Sequence, residues 1–340
     1  KSQMPGVSAR IFENGKAHFE FDSGTRALGT NVKVERADLW HIGSCTKPMT
    51  AVLIAQLVDE KKLSWSTKVS EIFKTHSMAK DVGEITIEEI LAHRSGLEDI
   101  AKLENGALWP KLFDPKLEVA KARRMLVDGI LKAELIAPHG TKTEYSNSGY
   151  VLLGAIIEKI RKTSWESATE ERIFKPLSMN SCGFGPAGKQ NLNRPTQPWG
   201  HLFSKDKLTA IRPDENADNP RALGPAGTIH CSSDDVAKFF SMLGVGFKEK
   251  QDTKVLKSSS LEKLLSASAD PVYTHMSLGR HEREWAKGTS FAMAGSNTFN
   301  YTIIGIAPGT GRTFVVNTNS ATAAAENGVI EIFKELTGAH

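Results

Sequence analysis

His41-Ile42-Gly43-Ser44-Cys45-Thr46-Lys47-Pro48 runs directly into a nearly all-apolar segment, Met49 to Val58. A proline is tolerated in the first turn of a helix and breaks it further in, so Pro48 fixes the start of a buried helix at about Ser44 to Lys47. Residues three apart on a helix share a face, so the Ser44 hydroxyl and the Lys47 ammonium sit one turn apart at its N-terminal end. That end carries unpartnered backbone N–H groups and the positive pole of the helix dipole, a setting that receives an oxyanion. Serine becomes a useful nucleophile only when a base takes its proton, and a lysine one turn away can be that base or hold another. Alone, Ser-x-x-Lys is common, and a capping serine beside a solvated lysine explains it equally well.

Working outward, the chain reads as strands at both ends and helices between. Val7 to Phe12 and Ala17 to Phe21 flank Asn14-Gly15, a pair suited to the two positive-φ positions of a tight hairpin. Ser290 to Gly295, Asn300 to Ala307 and Thr313 to Asn319 are rich in Phe, Ile, Val and Thr, with Pro308 to Gly311 as a turn and Ala321 to Leu336 as the closing helix. Between them, helices are expected at 87–92 behind a Thr86/Glu89 capping box, then at 119–133, 150–162 and 233–243. The expected fold is α+β: one antiparallel sheet built from both chain ends (1–62 with 270–340), flanked by helices, with an inserted mainly helical lobe (63–269) and a site at their junction. The segment 182–219, rich in Gly, Pro and Asn, reads as long and irregular, which suits a specificity loop.

Composition narrows the function classes. Of 340 residues, 40% are hydrophobic and 24% charged, an ordinary globular balance. Net charge is +4, from 43 basic and 39 acidic residues mixed along the chain, so no nucleic-acid footprint is expected. No apolar run approaches the roughly 20 residues that span a bilayer. Three cysteines are too few for a disulfide framework and lack metal-ligand spacing, so neither metal nor cofactor is expected. The sequence begins at Lys1; removal of a signal peptide would imply a periplasmic or secreted protein, and otherwise a cytoplasmic one.

Three motifs then fall in order: Ser44-x-x-Lys47, Tyr145-Ser146-Asn147 before a helix, and Ala294-Gly295-Ser296 at the end of a late strand. The ordered set resembles the serine β-lactamase and penicillin-binding-protein superfamily, and within it the class C-type branch that includes D-amino-peptidases and carboxylesterases. Met4 to Ser8, Ile85 to Leu97, Gly224 to Gly227 and Val315 to Asn319 extend the likeness over almost the whole chain. The resemblance implies Ser44 as acylated nucleophile, Lys47 and Tyr145 as proton carriers, and Asn147 as a substrate donor that also orients Lys47. It implies the backbone N–H groups of Ser44 and Ser296 as the oxyanion hole. Which of Lys47 and Tyr145 takes the serine proton stays open.

One position departs from the pattern. Gly295 fixes the register of the family's Lys/His-x-Gly motif, so Met293 stands where a cation is expected and Ala294 where a hydroxyl is frequent. Met293, Ala294, Gly295 and His201 are the expected substrate-binding positions, with Lys287, Arg280 or Arg212 as possible replacements for the lost cation. Losing a charge-assisted bond to a substrate carboxylate costs ~1.5–3 kcal/mol, which favours an esterase or amidase over a true β-lactamase or D,D-peptidase. The expected partner is a small ester, amide or β-lactam. The alternative of another class is a slowly acylating penicillin-binding sensor or pseudoenzyme. His93 is expected to satisfy a turn, Cys45 to be a buried small residue, and the Asn300-Tyr301-Thr302 sequon to be fortuitous.

Overall fold

The computed structural model describes residues 3–188, 194–213, 217–268 and 273–338. Its strands, among the described residues, are β1 (Gly6–Glu13), β2 (Lys16–Gly24), β3 (Leu39–His41), β4 (Gly183–Phe184), β5 (His201–Ser204), β6 (Lys207–Ala210), β7 (Ile229–Ser232), β8 (Gly279–Arg283), β9 (Gly288–Ser296), β10 (Tyr301–Ala307) and β11 (Arg312–Thr318). The main sheet has the order β2-β1-β11-β10-β9-β8. Every pairing in it is antiparallel. The two chain ends therefore close the sheet on each other, as the strand pattern requires. Asn14 and Gly15 take φ of 49° and 77°, the pair of positive values that matches hairpin twist.

Alternation along β10 divides the core between the two faces of the sheet. Tyr301 and Ile303 pack with Ala9, Val316 and Val329 beneath the closing helix Ala323–Thr337. Ile304 and Ile306 turn the other way, into the large cluster that includes Phe239, Phe240 and Leu243 of the helix Ser233–Glu249. Sequence order placed that second helix with the helical lobe, but its apolar stripe lies on the sheet. The same cluster takes in the helix Lys47–Asp59, buried without interruption from Lys47 to Leu57, and the helix Asn147–Arg161 beside it. The expected boundary at 269/270 lies outside the described residues.

The segment 182–219 is more ordered than its composition suggests. It holds the β5–β6 hairpin and β4, which joins a second sheet of order β3-β7-β4. A bond between Cys182 and Cys231 fastens that sheet and closes a loop of sequence separation 49, a link that three scattered cysteines did not announce. Cys45 is buried, as expected. Residues 189–193 and 214–216 of the segment lie outside the described residues. Among the described residues, no helix is long and apolar enough to cross a membrane.

Chain-entropy arguments put such a crosslink at about 2–4 kcal/mol. Replacing Cys182 and Cys231 together by alanine is expected to lower unfolding free energy by that amount in urea titrations. Equal midpoints for the variant and the unreduced parent would contradict the crosslink.

Candidate active site

The helix Lys47–Asp59 begins with Pro48 in its first turn and is preceded by a 3₁₀ turn, Gly43–Thr46. This turn carries Ser44 against the end of β9. The approach is so close that side chains are excluded on both sides. A Cβ on Gly295 would stand 2.9 Å from Ser44 N and overlap Ile42 O, and one on Gly43 would overlap Ser296 N. Gly43 also needs its positive φ of 50°. The two glycines thus let Ser44 and Ser296 line one cavity of about 150 Å³, which Asn147 also lines.

Around Ser44 the expected side chains converge. Tyr145 Oη donates to Ser44 Oγ at 2.6 Å, and Lys47 Nζ lies 3.0 Å from the same oxygen. Lys47 Nζ also donates to Asn147 Oδ1 at 2.8 Å and to the Ala226 carbonyl at 2.6 Å. Asn147 is free for this because the helix Asn147–Arg161 is capped by Ser146, which accepts from Gly149 N.

Lys47 is fully buried. Loss of hydration lowers its pKa to about 7, against a small opposing effect of Cys45. Its Nζ lies 4.7 Å from the Tyr145 ring centre and 5.6 Å from that of Tyr150, contacts that favour the ammonium without outweighing desolvation. Tyr145 is 42% exposed as a residue, yet its hydroxyl turns inward onto Ser44. Desolvation of that hydroxyl raises its pKa, the bond to Ser44 opposing, so the phenol stays protonated at neutral pH.

His93 does more than satisfy a turn. Its Nδ1 accepts from Ser146 N at 3.0 Å, which leaves Nε2 to donate to Ser277 Oγ at 2.6 Å. Its ring packs on Tyr145 with centroids 4.6 Å apart. Burial, then the nearby Lys47, lowers its pKa to about 3, so it adds no charge beside the lysine. The fixed tautomer anchors the Tyr145-Ser146-Asn147 segment at the start of the helix Asn147–Arg161. A histidine at positive φ, 57°, is the one local hint of such a role.

The expected substrate positions fare differently. Met293 is buried in the main core cluster and does not line the cavity. On β9 it is Ala294 that faces outward. His201, expected to bind substrate, is buried instead: its Nδ1 donates to the Asn319 carbonyl at 2.6 Å and its Nε2 accepts from Leu28 N at 3.1 Å, so both ring nitrogens hold the fold and it does not line the cavity beside Ser44. No lysine or arginine is among the described residues lining the cavity beside Ser44. Arg212 lies over Trp199 and Arg280 over Phe247, away from it. Asn219, which the sequence reading passed over, lines both this cavity and an adjoining cleft of about 1030 Å³. Asn300 is buried and bonded to Asn297, which fits a fortuitous sequon.

The Beta-lactamase family matches residues 1–337. The chain belongs to that family. Together with the assembled Ser44 site, membership makes it a serine hydrolase. Penicillin-binding protein 4 of Amycolatopsis lactamdurans is 25% identical over 348 residues, covering 98% of this chain and 85% of that protein. The protein flp of Staphylococcus aureus strain MRSA252 is 30% identical over 200 residues, 57% of this chain and 37% of flp, so this β-lactamase-family chain spans well under half of that relative. The structure of a D-stereospecific amidohydrolase from Streptomyces sp. superposes with a TM-score of 0.77 over 99% of this chain and 95% of that one, at 20% identity, a likeness of fold.

Gly295→Ala is expected to push β9 off the catalytic turn. Hydrolytic kcat should fall by about a hundredfold while circular dichroism still reports a folded protein. Wild-type kcat in this variant would contradict the close approach.

Proposed function

We propose that the protein cleaves an ester or amide of a neutral acyl group through an acyl-enzyme on Ser44, with Lys47 as the base. The observation that carries this reading is the valence of Lys47 Nζ. Its three neighbours are Asn147 Oδ1, the Ala226 carbonyl and Ser44 Oγ. The first two can only accept, so a neutral amine spends both N–H groups on them and turns its lone pair to Ser44. Ser44 then donates to Lys47 and accepts from Tyr145, and every hydrogen in the cluster has one partner.

Acylation follows from that arrangement. As Ser44 Oγ attacks the carbonyl carbon, its proton passes to Lys47 Nζ, and the oxyanion is received by the N–H groups of Ser44 and Ser296. Tyr145 gives its phenolic proton to the departing nitrogen or oxygen as that bond breaks, leaving a phenolate beside the Lys47 ammonium. In deacylation the phenolate takes a proton from water, hydroxide attacks the acyl carbon, and Lys47 returns its proton to Ser44. Atoms and charges are restored in one cycle.

Substrate preference rests on β9. With Met293 turned into the core and Ala294 short, the described residues lining this cavity offer a substrate carboxylate no cation of the Lys/His kind, which supports esters and amides of uncharged acyl groups. Carboxylate-bearing β-lactams should be weaker by roughly tenfold to a hundredfold.

Intact mass after treatment with a fluorophosphonate tests the nucleophile: one adduct is expected on the parent and none on Ser44→Ala. Turnover of p-nitrophenyl butyrate should exceed that of nitrocefin, and rapid nitrocefin cleavage would restore the β-lactamase reading. A stoichiometric burst without turnover would favour the slowly acylating sensor.

The base assignment predicts a pH profile. Lys47 must be neutral, and raising pH removes its proton, so kcat/KM for ester hydrolysis should climb with an apparent pKa of about 7 and then level. A profile flat from pH 5.5 to 8.5 would contradict Lys47 as the base.

A further inference from the structure

Behind the catalytic turn lies a second polar cluster that the acylation chemistry leaves unused. His41, Asp218 and Asn297 are 4%, 4% and 2% exposed. Gly43 N donates to His41 Nδ1 at 3.1 Å, which requires that nitrogen to be unprotonated and places the ring proton on Nε2. Nε2 in turn donates to Asp218 Oδ2 at 2.9 Å. The other carboxylate oxygen, Oδ1, accepts from Asn297 Nδ2 at 2.9 Å and from Asn219 N at 2.7 Å. The Asn297 amide cannot be turned over, because its Oδ1 already accepts from Phe299 N, Asn300 N and Asn300 Nδ2.

The connections matter because of where they end. Gly43 immediately precedes Ser44, and Asn297 immediately follows Ser296. One carboxylate thereby reaches, each within one residue, Ser44 and Ser296, which both line the cavity beside the nucleophile. Through Asn219 it also holds the wall between that cavity and the larger cleft. Asp218 lies 177 residues from His41 and 79 from Asn297, so the cluster is made by the fold and by no local motif.

We infer that Asp218 is a positioning residue which, through His41 and Asn297, sets the spacing of the Ser44 and Ser296 N–H donors for the developing oxyanion. The inference rests on the acyl-enzyme reading given under Proposed function. His41 is the coupling element, since its tautomer is dictated from one side and felt on the other. Asp218 takes three donors; an asparagine offers one oxygen. If that oxygen keeps Asn219 and Asn297, its NH₂ faces His41 Nε2 and drives the ring proton to Nδ1. There it opposes Gly43 N–H and displaces the residue that leads into Ser44. The same logic governs hydrolases whose buried aspartate fixes a histidine tautomer.

The test compares single-turnover acylation by a fluorophosphonate and steady-state ester hydrolysis in the parent, Asp218→Asn, His41→Asn and the double variant, each checked for folding by thermal melting. Asp218→Asn should lower kcat and the acylation rate by about a hundredfold, with KM within about twofold. His41→Asn keeps an acceptor at the Nδ1 position whatever residue 218 is. The double variant should therefore acylate at least about tenfold faster than Asp218→Asn alone. Losses from disrupted packing would instead add. A parent-like rate in folded Asp218→Asn, or a double variant no faster than that single one, overturns the inference and leaves the Ser44 reading intact. Failure of the parent to form a Ser44 adduct overturns both. Should Asp218→Asn not fold, ¹⁵N imidazole shifts of His41 in the parent decide: the Nε2–H tautomer is expected, and Nδ1–H overturns the inference.

Discussion

The site depends on taking one amine out of water. Lys47 opens a helix whose next ten residues are all buried, so its ammonium is carried into the core with the helix. A fully solvated lysine would remain charged at neutral pH and could not accept a proton. Burial shifts the balance toward the neutral form, and in the proposed neutral state the two carbonyl acceptors, Asn147 Oδ1 and Ala226 O, take both N–H groups and leave the lone pair to Ser44. Tyr145 responds to the same dry surroundings in the opposite sense and keeps its proton. In the proposed mechanism a single condition, exclusion of water from one side of Ser44, suits the lysine to accept a proton and the tyrosine to give one.

The second constraint is steric. The Ser44 turn and β9 meet backbone to backbone at Gly43 and Gly295, and Gly227 lies against the same spot, with a Cβ there 3.4 Å from Gly43 C. The terminal sheet provides the rigid wall for this contact: β9 pairs with β10, β10 with β11, and β11 with β1. Strands from both ends of the chain must be in register before Ser296 can lie beside Ser44, which gives the unusual closure of the sheet a functional meaning.

Much of this was legible in the sequence because it was written locally. Pro48 and the apolar run after it located the buried helix, Asn14-Gly15 located the hairpin, and richness in Phe, Ile, Val and Thr located β9 to β11. The order of Ser44, Lys47, Tyr145, Asn147 and Gly295 along the chain pointed to the candidate site, where the structure brings them together. What escaped was written across distance. The Cys182–Cys231 bond and the short strands β3, β4 and β7 carry too few residues for periodicity to register. His41 reads as one more polar residue until the fold brings Asp218 to it, and His93 as a turn residue until Ser146 arrives at its ring. His201 misled for the converse reason: a histidine among Gly and Pro looks exposed, and only tertiary structure supplies Asn319 and Leu28 as its partners. Met293 takes a place in the core, which follows from the inward register of β9.

The most direct measurement is the ionisation of Lys47 itself. Protein labelled with ¹³C at lysine side chains, compared with Lys47→Arg to identify the resonance, allows the Cε shift to be followed against pH. A midpoint near 7 is the expected result. A midpoint at the ordinary lysine value of ~10.4 would contradict the account, because a lysine charged throughout the neutral range cannot take the proton of Ser44.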